Sequence, residues 1–463
     1  MTGVAALAAV LAALAAPPLT ATRERALLAT WLGGPGKDTL TSATILADGS
    51  GLVGGMIAFD KLKLLKPARA VAGVGDGIVA RVIPTETDIL AVQRFSGTVA
   101  DLDSDADGGT YITGDFGSIR VSARGQTIWM SNVGGPSARI SVGPSGGAFV
   151  LSGKTLTSIN SRGHAARQWD IPAAFVSDVE WDPETSLVFV TGFDNQKGHK
   201  GAVEAAFVYA YDAQGKQAWK AYGWSGVELD DEGLMADTRG CRLAMGKDGR
   251  LYVAGESAGA STLWTRMPQD LKAKADLVKA DKYQDPAGAD STTLTFIGRL
   301  DTKTGHSEGG TLLLGRLPDG KASAMRPRAL AVSADGRIFV GGAAAAGAPI
   351  SEGAITGQTP VLRSSGAAAA EGGEGGAFLV IFDLLFRRLY ATTLCDGQTN
   401  AVAVAPTYVI AVGDGEGGLV TERPLQADAG GEVDGWIVIL PMRLGPAVRP
   451  APTPPLAPLP FGR

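Results

Sequence analysis

Carboxylates are the side chains in this sequence best placed to do chemistry, and they gather in one segment. Residues 223–240 read Gly223-Trp224-Ser-Gly-Val-Glu228-Leu-Asp230-Asp231-Glu232-Gly-Leu-Met-Ala-Asp237-Thr-Arg239-Gly240, with five carboxylates and one arginine. Carboxylate oxygens at that density suit a hard cation such as Ca²⁺, or the hydroxyls of a sugar. Glu256 opens a second segment, 256–293, expected to pack beside the first, and Trp224 and Trp264 offer stacking faces for the same ligand. The candidate ligand-binding set is therefore Trp224, Glu228, Asp230, Asp231, Asp237, Arg239, Glu256 and Trp264. The competing reading is a solvated acidic loop in which Asp237 and Arg239 pair locally.

A second acidic run, Asp103-Ser-Asp105-Ala-Asp107-Gly108, fits the first half of a calcium loop, where alternating side chains converge on one ion. The second half departs from that pattern, with Tyr111 at the ninth position and Gly114 at the twelfth. Asp107-Gly108 is also explained as a hairpin turn without any metal. Calcium, held by Asp103, Asp105 and Asp107, is the one cofactor candidate. Gly255-Glu256-Ser257-Ala258-Gly259 matches the spacing of a hydrolase nucleophile elbow, but that motif needs a strand-to-helix turn and no helical stripe follows directly. Further along, Leu271 and Leu277-Val278 stand at roughly helical spacing and predict a short helix over 267–280. The three histidines, His164, His199 and His306, lack metal-ligand spacing. Cys241 and Cys395 can form at most one bridge, and buried free thiols are the favoured reading.

The elements that must position these residues are legible as a repeat. Seven times, an apolar alternating stretch leads to a small turn, then to a second β-rich stretch with Gly or Ser seven residues after the turn opens. The copies are Asp48 with Gly55, Asp107 with Gly114, Ser145 with Ser152, Thr185 with Gly192, Asp248 with Gly255, Asp335 with Gly342, and Pro406 with Gly413. Asp-Gly between alternating runs predicts a hairpin, because glycine accepts the positive φ of the turn. A third strand follows (Ala206-Phe-Val-Tyr-Ala-Tyr211, Ala377-Phe-Leu-Val-Ile-Phe382), and then a fourth that often carries tryptophan (Trp129, Trp169, Trp219). Four strands repeated seven times predict an all-β, seven-bladed β-propeller of four-stranded antiparallel blades. The last repeat ends at Leu440 with three strands, while an orphan strand, Ala26–Leu32, precedes the first. The two are expected to join and close the ring, leaving no exposed edge.

Trp31-Leu-Gly-Gly-Pro-Gly-Lys-Asp38, followed by Asp48-Gly49 and Asp76-Gly-Ile-Val-Ala-Arg81, resembles the bacterial seven-bladed β-propeller repeat, abbreviated SBBP. The resemblance covers roughly residues 25–440. It implies an exported propeller and brings no catalytic residues. Blade lengths vary widely here, and most copies lack the Gly-Gly-x-Gly element.

Three regions result: a signal peptide over 1–21, the propeller over 25–441, and a Pro-rich disordered tail over 446–463. The leader has about 13 apolar residues ending in small ones, short of the ~20 that a membrane span needs, though no Lys or Arg precedes Arg23. The mature form is thus expected to be secreted, periplasmic or on the cell surface, without a membrane span and as a monomer. The net charge of −5 and the lack of a basic run argue against a nucleic-acid partner. In up-and-down blades the strand-two-to-three loops share a face with the inter-blade connections. The long insertions 56–76, 193–205, 256–293, 343–375 and 414–434 all fall there. The expected function is a non-catalytic binding scaffold, holding a protein, polysaccharide or small ligand on that face. The alternative is a propeller lyase or hydrolase acting on a glycan or peptide, with calcium assisting.

Overall fold

A computed structural model describes residues 26–57, 71–72, 75–84, 88–350 and 374–442, so the leader and the Pro-rich tail lie outside the described residues. The chain forms seven antiparallel four-stranded blades, and each blade's first strand is its innermost. These inner strands are Thr39–Ile45, Val99–Ser104, Arg139–Val142, Phe175–Asp182, Thr238–Met245, Met325–Val332 and Asp396–Val404, for blades one to seven in order. Strand Leu28–Leu32 pairs antiparallel with Asp434–Pro441, Trp31 opposite Trp436, and so supplies the outer strand of blade seven. The expected closure is what the structure shows.

The turns after the inner strands follow the sequence logic. Gly49, Gly108, Gly146, Gly249 and Gly336 all adopt φ between 70° and 83°, and blade four places Ser186 at φ 57° instead. Each Asp-Gly turn closes with a backbone bond, such as Gly49 N–H to Leu46 O at 2.9 Å. The Asp48 carboxylate accepts the Ser50 N–H at 2.9 Å, which fixes the turn further.

The glycine seven residues on has a different cause. In six blades the inner strand carries a β-bulge, at Thr41, Ala100, Ser177, Cys241, Arg328 and Asn400. The bulge drives a backbone carbonyl against the second strand. A Cβ at Gly55 would lie 2.1 Å from Thr39 O, and one at Gly413 1.8 Å from Gln398 O. Glycine is needed wherever the bulge occurs. Blade three, whose copy has Ser152, is the blade with no register shift between its first two strands.

The described parts of several insertions pair with their blades. The blade-four insertion extends its hairpin, with Leu187–Lys197 paired to Ala202–Asp212 along the full length. Residues 256–293 of blade five form a small hairpin, Arg266–Met267 with Asp270–Lys274. Leu277–Val278 then adds in parallel as a fifth, outermost strand. These strands replace the short helix expected over 267–280, because the unpaired outer edge of blade five offers backbone partners that a helix would forgo. Val71–Ala72 adds to blade one in the same way, and Glu422 bridges to Ala29 along the edge of blade seven. Core side chains fill the spaces between blades, where stacked sheets bury Trp264, Trp436, Phe189, Phe296 and Phe378 almost completely. Both cysteines are free thiols, Cys395 buried and Cys241 half-buried. No helix among the described residues is long and apolar enough to cross a membrane.

Candidate functional site

The acidic segment of the long-loop face folds into a helix, Gly226–Asp231. Ser225 caps it by accepting the Glu228 N–H, and the Glu228 carboxylate accepts in return from the Ser225 N–H at 2.9 Å. This reciprocal box satisfies two donors of the first turn and is worth roughly 1 kcal/mol. It holds the Glu228 carboxyl below the usual range, through the Ser225 hydroxyl first and the Ser225 N–H second. The Asp230 carboxylate leans onto the tip of the blade-four hairpin, accepting the Lys200 N–H at 2.7 Å and pairing with Lys200 Nζ at 3.1 Å. Asp231 stays exposed, 3.7 Å from His199 Nε2.

Arg239, Glu256 and Asp237 gather beside the same blade-four hairpin, nearer its root. The Arg239 guanidinium pairs with Glu204 through Nε and with Glu256 at 3.0 Å, and Asp237 accepts the Glu204 N–H at 2.9 Å. The Glu204 contact holds the Arg239 pKa above its ordinary value. That guanidinium also lies 5.2 Å from the Phe193 ring centroid. On Phe193 stacks Phe175, at 5.7 Å with 25° between the planes. Phe175, the first residue of blade four's inner strand, is 53% exposed. An aromatic shelf, an arginine and two carboxylates thus form one continuous patch on the long-loop face. The two phenylalanines were not among the sequence candidates, since alternation alone does not tell an exposed strand-end Phe from a buried one.

The tryptophans separate. Trp264 is wholly buried, parallel to Phe296 at 4.4 Å and edge-on to Tyr222 at 4.7 Å, and donates its indole N–H to Glu256 O. It anchors the blade-five insertion and presents no face to a ligand. Trp224 is half-buried against the same core. The candidate set therefore divides into a helix cap (Glu228), a hairpin brace (Asp230), an exposed pair (Asp231), a core anchor (Trp264) and the Arg239–Glu256–Asp237 patch.

The three aspartates of 103–107 point in different directions. Asp105 organises its turn and neighbours, accepting from Gly109 N–H at 2.6 Å, Tyr111 Oη at 3.1 Å and Arg120 at 3.0 Å. Asp107 is exposed on the turn. Asp103 faces the propeller axis. Among the described residues no group of three or more His, Cys, Asp or Glu side chains is arranged to hold a metal ion. Ser257 Oγ donates to Gly259 O at 2.8 Å from a fully buried position, a structural bond at the end of a strand.

The second site is the axial channel, a cavity of about 130 Å³ lined by inner-strand residues from all seven blades. Pairing register identifies the equivalent position in each blade, opposite the residue just before the repeated Gly or Ser: Ser42, Asp101, Arg139, Asp178, Arg242, Ala329 and Ala401. Charge alternates negative, positive, negative, positive across blades two to five, while the other three blades contribute small neutral residues. Two residues further along the strands lie Asp103 of blade two and Glu180 of blade four. Each carboxylate accepts a backbone N–H from the next blade's inner strand. Asp101 takes Ile140 N at 3.1 Å, Asp103 takes Val142 N at 2.7 Å, Asp178 takes Leu243 N at 2.8 Å, and Glu180 takes Met245 N at 3.2 Å. The inner edges of blades three and five would otherwise leave these donors unmatched. Burial raises the pKa of Asp101 and Glu180 and pushes Asp103 up to about 7, with neighbouring carboxylates adding to the rise. Burial first, then the charge of Arg139, lowers Arg242 to about 10. Of these residues only Asp103 was a sequence candidate. The one available signal was the alternation of charged with apolar residues in two inner strands, Asp101 and Asp103 in blade two and Asp178 and Glu180 in blade four.

The chain matches no family model, and no curated protein is significantly similar to it.

Proposed function

We propose that this protein is an exported, non-catalytic propeller scaffold that captures another protein on its long-loop face, as a monomer at the cell surface or in the periplasm. The observation that carries the reading is the exposed Phe175–Phe193 shelf under Arg239, flanked by Glu204 and Glu256. Aromatic rings and arginine are the groups enriched at protein interfaces, and a rigid shelf loses little entropy on binding. Asp237, Arg239 and Glu256 border that contact, with Glu228, Asp230 and Asp231 of the neighbouring helix at its rim. A polysaccharide is the other occupant this face suits. Export rests on the apolar leader, and kinship with the SBBP repeat agrees with seven four-stranded blades.

The test uses the mature chain immobilised beside two variants, Phe175→Asp on the long-loop face and Arg124→Glu on the opposite face. The reading requires a protein from the extracytoplasmic fraction that the parent and Arg124→Glu retain and Phe175→Asp loses. Retention by all three, with Phe175→Asp still folded, removes this face as the recognition surface.

A further inference from the structure

The axial channel stands apart from the long-loop patch and has donors and acceptors in excess of what the fold uses. Arg242 makes a hydrogen bond through Nη1 to Cys241 O at 3.0 Å, and Arg139 reaches Asp101 at 3.7 Å. The two guanidiniums stand on either side of Asp178 in the ring and otherwise share a confined space with most of their N–H groups unengaged. Asp101 and Asp103 use both oxygens within the fold, whereas the two carboxylates of blade four are half-used. Asp178, 8% exposed, binds Leu243 N through Oδ2, and Glu180 binds Met245 N through Oε1, so each keeps its second oxygen on the channel side.

We propose that the channel holds a free basic amino acid of about lysine's length. Its carboxylate lies on Arg139 and Arg242, its α-ammonium on Asp101 and Asp178, and its side-chain ammonium on Asp103 and Glu180. The alternating ring of blades two to five matches the paired charges at an amino acid's α-carbon. The acidic pair lies two strand residues away, about 6.6 Å at 3.3 Å per residue. The four-carbon stem of lysine covers that order of distance. Ser42, Ala329 and Ala401 on the uncharged side leave room for the stem. Four carboxylates against two guanidiniums leave a formal excess of two negative charges, which favours a ligand of net positive charge. The raised pKa values of Asp101, Asp103 and Glu180 describe carboxylates that take up protons where a cation is not present to replace them.

Isothermal titration of the full chain with L-lysine, L-norleucine and cadaverine separates the contributions. L-lysine is expected to bind one site per chain. L-norleucine, lacking the side-chain ammonium, and cadaverine, lacking the carboxylate, bind at least tenfold more weakly. Arg242→Gln weakens L-lysine at least tenfold and leaves cadaverine unchanged. Absence of L-lysine binding to folded protein up to roughly 10 mM overturns the proposal. So does cadaverine binding as tightly as L-lysine, because the acidic groups alone would then explain the affinity. The ligand series on the parent protein decides the matter even where Arg242→Gln fails to fold.

Discussion

Replacing Asp103 by asparagine tests the electrostatics of the channel through the stability of the whole ring. Burial lifts the Asp103 carboxyl from 3.8 to about 7, so folding holds a proton that the unfolded chain releases. The sign follows from linkage: the associated stability is fully present below pH 3.8 and is lost as pH rises through about 7. A rise of about three units corresponds to at most ~4 kcal/mol, since each unit is about 1.4 kcal/mol. Water in the channel screens part of this, so a fall of about 2–3 kcal/mol is expected. The asparagine side chain carries no charge at any pH. Its amide oxygen keeps one of two accepted bonds, from Val142 N–H or Ser104 N–H, at a constant cost of about 1 kcal/mol. Urea unfolding of parent and Asp103→Asn at pH steps from 4 to 8 is the assay. The difference between them should move by about 2–3 kcal/mol in favour of the variant as pH rises, mostly below pH 7. Superimposable pH profiles, or a parent that gains on the variant with rising pH, would refute the argument.

Gly413→Ala sets a Cβ 1.8 Å from Gln398 O and should cost about 3 kcal/mol or more, whereas Ser152→Ala in the unbulged blade costs about 1 kcal/mol, the worth of its bond to Gly134 O; paired denaturant curves check this. Trp264→Ala empties the space beside Phe296 and Tyr222 and should cost roughly 3–5 kcal/mol, with loss of near-ultraviolet dichroism but not of the β-sheet signal. Added Ca²⁺ should leave the melting temperature of the protein unchanged, because the Asp105 oxygens are already occupied by Gly109, Tyr111 and Arg120; a saturable rise contradicts that placement.

Much of the fold was legible because its repeat is written in backbone requirements. Asp-Gly turns and the glycine seven residues later mark each first hairpin, and the orphan strand before Gly33 announced closure with Asp434–Pro441. The reason for the second glycine was not legible: the bulge that demands it appears only in the pairing register, and the contrast with Ser152 in blade three then becomes intelligible. The 267–280 segment misled because Leu271, Leu277 and Val278 satisfy a helical spacing and a pair of short strands equally well. The candidate site was read less well than the fold. Glu228 and Asp230 were visible as acids, but a capping box and a brace to Lys200 account for them. The channel residues Asp101, Arg139, Asp178, Glu180 and Arg242 lie far apart in sequence, and only the seven-fold arrangement brings them to one axis.

Both the long-loop patch and the axial channel depend on the ring being closed by its N-terminal strand. Hydrogen–deuterium exchange of the chain tests that directly, by following the amides of Leu28–Leu32 beside those of Gly435–Ile439. Closure predicts that both exchange as slowly as central strands of the other blades, and that deleting 26–32 exposes Gly435–Ile439 and lowers the melting temperature of the whole domain. Fast exchange in Leu28–Leu32, or a deletion that leaves both observables unchanged, would contradict a closed seven-bladed ring.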